Sequence, residues 1–304
     1  MQRRFTVILN SGSGSKTGEQ MHAAITHAMG QAGAPVDIID VGGRRDLDAA
    51  IAAAVRKAHA AGHIVVAAGG DGTINAVACA CHAAGATMGV IPLGTFNYFA
   101  RENGIPVDVA GAIEVLVRGV EKPAAAGMVN GRLFLVNASF GLYTTIIRNR
   151  EQVKKRFGRY RIVALASALS CLLRGRTTFG VDIDSHGKTL HRDTPMVFVG
   201  NNKIQLESLG LATAETEGPD TISLVLLKPV TRWQTARLLL RGLLRDMRSE
   251  ERLEEFSASH LRVQTRRRTV ACVVDGEIVT LTAPLDFSAV PQAVQLICPQ
   301  DVTP

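Results

Sequence analysis

The sequence predicts an N-terminal α/β domain on a parallel, doubly wound sheet, followed by a strand-rich, antiparallel β-sandwich domain. Three observations carry this. Short apolar runs alternate with helical patterns from residue 5 to residue 120, the signature of βαβ units. From about Lys122 onward, short strand-like stretches take over, as antiparallel sheets require. Polar or glycine-rich loops follow the first, third and fourth predicted strands, the ends at which open α/β sheets bind ligands. The boundary is placed between 1–122 and 123–289.

In order, residues 5–9 read as a strand, 18–32 as a helix, 36–40 as a strand and 46–61 as a helix capped by Asp46. Strand 64–68, helix 73–84, strand 88–91 and helix 108–120 complete the first domain. The second domain offers strands at 123–129, 132–138, 177–184, 196–200, 222–227, 261–264, 270–274 and 279–281, with a last apolar segment at 294–297. Two helical patterns interrupt them. Segment 162–173 follows a basic run of Arg148, Arg150, Lys154, Lys155, Arg156, Arg159 and Arg161. Segment 233–247 repeats Trp233, Ala236, Leu240, Leu243, Leu244 and Met247 at helical spacing, which reads as core.

Composition excludes several classes. The 304 residues are 46% hydrophobic, too apolar for a disordered chain. The longest apolar stretch holds twelve residues, whereas a membrane span needs about 20. The basic N-terminus leads into an apolar run too short for a signal peptide. A net charge of +7 suits an anionic partner: a nucleotide, a nucleic acid or an acidic membrane surface. The Arg266-Arg267-Arg268 run lacks the interleaved aromatics of a nucleic-acid groove, so no nucleic acid is expected. Five cysteines without metal-ligand spacing fit reduced thiols and a cytoplasmic location.

The densest chemistry is Gly69-Gly70-Asp71-Gly72-Thr73-Ile74-Asn75, directly after the buried strand. Glycines let the backbone turn sharply and let a ligand approach, and the helix that follows presents free N–H groups to an anion. An acid beside a phosphate site holds Mg²⁺ or a polar nucleotide group. The loop Asn10-Ser11-Gly12-Ser13-Gly14 is a second donor-rich segment, but it is neither a Walker A loop nor a GxGxxG fingerprint. Val274-Asp275-Gly276-Glu277 sets two acids across a glycine, a pattern that alone reads as a hairpin turn. The histidines form no HExxH pair, and no serine nucleophile elbow is present.

Together, GGDGTIN, Pro92-Leu93-Gly94-Thr95-Phe96-Asn97-Tyr98-Phe99-Ala100-Arg101 and Asp275-Gly276-Glu277 resemble the diacylglycerol kinase catalytic-domain family, closest to its soluble bacterial lipid kinases. The resemblance implies an NAD kinase/diacylglycerol kinase-like first domain, rejoined by 290–304, with ATP bound by Asn10, Ser11, Gly12, Ser13, Gly14, Gly69, Gly70, Asp71, Gly72, Thr73, Asn75, Thr95 and Asn97. It implies Glu277 as proton acceptor, with Asp275 orienting it or holding metal, in a site between the domains. It also implies a structural Mg²⁺ segment, for which Glu217 and Asp220 are the candidates although the acid spacing differs here. Phe96 and Tyr98 depart from the family pattern, which has a small residue and an Asp at these positions.

The expected function is an ATP- and Mg²⁺-dependent lipid kinase acting on a hydroxyl of diacylglycerol or a related lipid. The basic segment 148–161 would give peripheral contact with the inner face of the cell membrane, and a homodimer is left open. The alternatives are an NAD kinase, which shares the GGDGT loop, and a non-catalytic nucleotide or lipid binder.

Overall fold

The computed structural model describes residues 3–11, 18–145, 147–148, 178–185, 188–201, 204–205, 218–229 and 253–300. The chain divides into two compact units, Met1–Ala126 with Pro291–Pro304, and Gly127–Val290.

The first unit runs β1 (Phe5–Leu9), α1 (Gly18–Gln31), β2 (Val36–Asp40), α2 (Leu47–Ala60), β3 (Ile64–Gly69), α3 (Asp71–Ala84), β4 (Thr87–Pro92), α4 (Tyr98–Glu102) and α5 (Val109–Arg118). Its strands lie parallel in the order β2-β1-β3-β4. Right-handed crossovers put α1 on the face opposite α2 and α3, so β1 and β3 flank the point where the winding reverses. Local chemistry sets the ends. Asp46 accepts from Ala49 N at 3.0 Å and Asp108 from Gly111 N at 2.8 Å, side-chain caps that start α2 and α5. Gly85, at φ 64°, closes α3 in the left-handed conformation. β3 is buried almost throughout, as a central parallel strand must be. A Cβ on Gly89 would lie 2.1 Å from Leu116 Cδ2, so the glycine lets α5 seat directly on β4.

β5 (Val120–Val129) leads into the second unit, which continues with β6 (Arg132–Phe134), β7 (Asn137–Gly141), β8 (Phe179–Ser185), β9 (Lys188–Thr194), β10 (Met196–Gly200), β11 (Ile222–Leu227), β12 (Leu253–Ala258), β13 (His260–Thr265), β14 (Thr269–Val274) and β15 (Glu277–Thr282). The long β16 (Leu285–Cys298) begins in this unit and ends in the first, where Gln295 and Leu296 pair in parallel with Thr87 and Met88. Six antiparallel strands form one sheet in the order β12-β11-β10-β7-β14-β15. Facing it, β13 pairs with β8 and with the first half of β16, and β8 pairs with β9. Phe134, Val181, Val263 and Phe287 from this second layer pack with Phe140, Val197, Leu224 and Val274 from the six-stranded sheet. Each such side chain contributes about 1.5–3 kcal/mol by leaving water. β13 alternates exposed and buried residues without a break, the pattern of a strand with one wet face.

The structure corrects several expected boundaries. α3 starts two residues before Thr73, at Asp71. The expected strand 132–138 is two strands, because the amides of Leu135, Val136 and Asn137 turn toward one carboxylate instead of a neighbouring strand. α4, β9 and β12 were not anticipated; β9 and β12 are edge strands of mixed polar sequence with little apolar alternation. The helices expected at 162–173 and 233–247, and the basic positions Arg150 to Arg161, lie outside the described residues, while Arg148 is exposed. Among the described residues, no helix is long and apolar enough to cross a membrane. The described cysteines are free. Burial pushes the Cys81 and Cys272 thiols up to about 12, which makes both packing residues rather than nucleophiles.

Candidate active site

In the first unit the loops after β1, β3 and β4 converge where the winding reverses, the position at which open α/β sheets take ligands. Asn10, at the end of β1, donates from Nδ2 to Thr73 Oγ1 at 3.0 Å and so ties its loop to the first turn of α3. Gly69 ends β3; a Cβ there would meet Thr73 Cβ at 2.6 Å. Gly70 caps α3 without a side-chain hydrogen bond, leaving the helix N-terminus open to an anion. Leu93 N donates to Gly69 O at 2.8 Å, and a Cβ on Gly94 would lie 2.9 Å from Gly70 Cα and 2.8 Å from Asn97 Oδ1. The loops after β3 and β4 therefore touch through glycine backbone. Gly94→Ala is expected to lower stability by about 1–3 kcal/mol, because backbone must shift to admit the methyl; thermal denaturation checks it.

Asp71 is the electrostatic centre of this arrangement. Its Oδ2 accepts from Asn97 N at 3.0 Å, and the amides of Tyr98 and Phe99 also bond the carboxylate. Its Oδ1 is buried and has no hydrogen-bond partner. Burial pushes the Asp71 carboxyl up from its ordinary range, partly opposed by those three amides. Asn97 holds the left-handed conformation at φ 52°; its Oδ1 accepts from Gly94 N at 3.0 Å and its Nδ2 donates to Gly94 O at 3.1 Å.

Of the residues expected to bind ATP, the structure brings together Asn10, Gly69, Gly70, Asp71, Thr73 and Asn97. Gly72 lies in the first turn of α3, and Thr95 lies exposed on the β4 loop. Asn75 is buried in α3, where its Oδ1 accepts from Cys79 Sγ. Ser11 N donates to Asp40 Oδ1 at 3.3 Å. Gly12, Ser13 and Gly14 lie outside the described residues. A cavity of about 540 Å³, lined by Asn10, Ser11, Met21, Leu93, Gly94 and Asp108 among others, opens beside these loops, within the size range of small-molecule sites.

In the second unit, Asp275 (φ 44°) and Gly276 (φ 89°) form the two-residue turn between β14 and β15, both at the positive φ such hairpins favour. The Asp275 carboxylate accepts from Leu135 N at 2.7 Å, Val136 N at 2.9 Å and Asn137 N at 2.9 Å. It organises the turn from β6 into β7. Glu277 is different. Its side chain is 55% exposed, and its carboxylate meets Arg132 Nη2 at 3.0 Å. Arg132, which the sequence reading did not single out, thus orients Glu277; only the fold pairs residues so far apart in the chain. Asp220 lies in an exposed turn, and Glu217 lies outside the described residues. Among the described residues, no group of three His, Cys, Asp or Glu could hold a metal ion.

Residues 4–129 match the model of the diacylglycerol kinase catalytic domain. Over these residues the chain is similar to the diacylglycerol kinase catalytic domain. The "Probable lipid kinase YegS-like" of Klebsiella pneumoniae (strain 342) is 32% identical over 46% of this chain and 47% of its own length. The "Diacylglycerol kinase" of Bacillus subtilis (strain 168) is 43% identical over 27% of this chain and 28% of its own. The match thus spans about half or less of these curated relatives. A diacylglycerol kinase crystal structure from Bacillus anthracis str. Sterne superposes with a TM-score of 0.69 at 17% identity, covering 99% of this chain and 98% of that one. That likeness shows the fold, an α/β unit followed by an antiparallel β unit.

Proposed function

We propose that this chain is an ATP- and Mg²⁺-dependent lipid kinase that phosphorylates a hydroxyl of diacylglycerol or a related lipid at a membrane surface. The observation that carries the reading is Asp71: a buried carboxylate oxygen without a partner, beside a helix N-terminus with no side-chain cap. Mg²⁺ binds through one or two carboxylates plus substrate phosphates, so Asp71 Oδ1 fits it, and a bound cation would stabilise the ionised form that burial disfavours. Mg²⁺, when bound, neutralises charge on the donor's terminal phosphates. The open N-terminus of α3 takes phosphate oxygens, and the adjacent cavity is large enough for the nucleoside. The lipid hydroxyl attacks the γ-phosphorus, the bond to the β-bridging oxygen breaks, ADP leaves, and Glu277 accepts the hydroxyl proton. Asp275 acts by holding the turn that presents Glu277.

The test is transfer of labelled γ-phosphate from ATP with Mg²⁺ into a total bacterial lipid extract, with NAD as a parallel acceptor. A labelled lipid is expected. Label in NADP would replace the reading with an NAD kinase, and ATP binding without transfer to either would favour a non-catalytic binder. A second check needs no turnover. Mg²⁺ with ATP should raise the Tm of the wild type, and Asp71→Asn should abolish the Mg²⁺-dependent part of that rise. An undiminished rise would remove Asp71 as the metal's ligand.

A further inference from the structure

We propose that the stacked rings of Phe96 and Tyr98 form the wall against which the acceptor's carbon skeleton packs beside its reacting hydroxyl. They thereby select neutral lipid alcohols with apolar carbon, not a charge or a second free hydroxyl, next to that position. The inference rests on the phosphoryl-transfer reading of the first unit's site.

The two rings lie 5.5 Å apart between centroids, with planes within 1° of parallel. Phe96 is 44% exposed, one of three large apolar side chains in that state among the described residues, with Val107 and Ile278. Nearly half of Phe96 is open to water, and the backbone is committed to holding it there. Asn97, between the rings, keeps a left-handed φ of 52° and is locked to Gly94 through both ends of its carboxamide. Its amide, and that of Tyr98, bond Asp71. The backbone that carries both rings is therefore bonded to the carboxylate assigned to the metal on the donor's terminal phosphates.

That position discriminates between donor and acceptor. The donor's base is separated from the transferred group by two phosphates and a ribose. The acceptor's oxygen must come within about 3–3.5 Å of the phosphorus, which brings its carbon skeleton next to Asp71. An aromatic face accepts CH groups there. The ring faces offer no strong hydrogen-bond partner to a second hydroxyl and strip water from a charged headgroup, and both carry a desolvation cost. Selection follows from the penalty on polar neighbours.

The experiment compares wild type, Phe96→Ala and Tyr98→Ala in detergent mixed micelles, with diacylglycerol and monoacylglycerol as acceptors. Both variants should lose about 10-fold or more in kcat/KM for diacylglycerol and most of the preference over monoacylglycerol, the size expected for lost apolar contact. KM for ATP should stay within about twofold, since ground-state binding of the donor is untouched. A raised KM for ATP with unchanged lipid kinetics would overturn the proposal in favour of base stacking, and unchanged kinetics throughout would overturn it outright. A Phe96→Trp variant gives a readout independent of turnover. Brominated diacylglycerol should quench the fluorescence that this variant adds to the parent's. No added quenching sinks the wall. Quenching in a protein that phosphorylates no lipid keeps the wall and removes the kinase reading.

Discussion

Asp275→Ala is expected to cost about 3–5 kcal/mol of stability, among the largest effects a single substitution produces. Three amides, those of Leu135, Val136 and Asn137, donate to this one carboxylate. All three residues are buried, so water cannot replace the lost acceptor. Hydrogen bonds to a charged group contribute about 1.5–3 kcal/mol each, and a buried donor left unsatisfied carries its full desolvation penalty. Alanine also tolerates the φ of 44° at this position poorly. Asp275→Asn separates the two causes, because Asn adopts the left-handed conformation readily while offering only one acceptor oxygen. It should fall between wild type and Ala. Urea denaturation, read as a shift in midpoint at constant slope, measures both. If Asp275→Asn keeps full stability but loses turnover, the carboxylate acts in chemistry and not in holding the turn.

Glu277→Gln should do the reverse, lowering kcat by about 10²–10⁴-fold, the usual contribution of a positioned general base. Stability should change by less than about 1 kcal/mol. The side chain is more than half exposed, and its contact with Arg132 is a surface pair, a class that contributes about 0–1 kcal/mol. The measurement is kcat at saturating ATP and lipid, with the denaturation midpoint recorded on the same preparation. A kcat near wild type would take Glu277 out of the proton transfer. The two variants share one three-residue motif and differ in where the loss falls, in folding for Asp275 and in turnover for Glu277.

Much of the first unit was legible in the chain itself. A buried parallel strand must be apolar on both faces, which made the strand at 64–68 plain, one residue short of the observed Ile64–Gly69. Asp46 announced its helix as a cap, because a short polar side chain before an apolar stripe favours that use, and the structure adds Asp108 as the cap of α5. The glycines at 69, 70 and 72 marked the tight turn after β3, since an absent Cβ permits a sharp bend and a close approach. The edge strands β9 and β12 were not legible. Their residues alternate too weakly to signal a face, and pairing with β8 and β11 defines them.

The roles within the motifs divide in the same way. Sequence alone determined which residue types stand at each loop: glycines at 69, 70, 72 and 94, carboxylates at 71, 275 and 277, and an aromatic pair at 96 and 98. Spacing along a chain carries no information about what a carboxylate's oxygens touch. Tertiary structure therefore decided that Asp275 is consumed by three amides, that Glu277 stays exposed beside Arg132, and that Asp71 keeps one buried oxygen without a partner. It also stacked Phe96 on Tyr98, because the left-handed turn at Asn97 is held by Gly94 and Asp71, and Asp71 lies on another loop of the sheet.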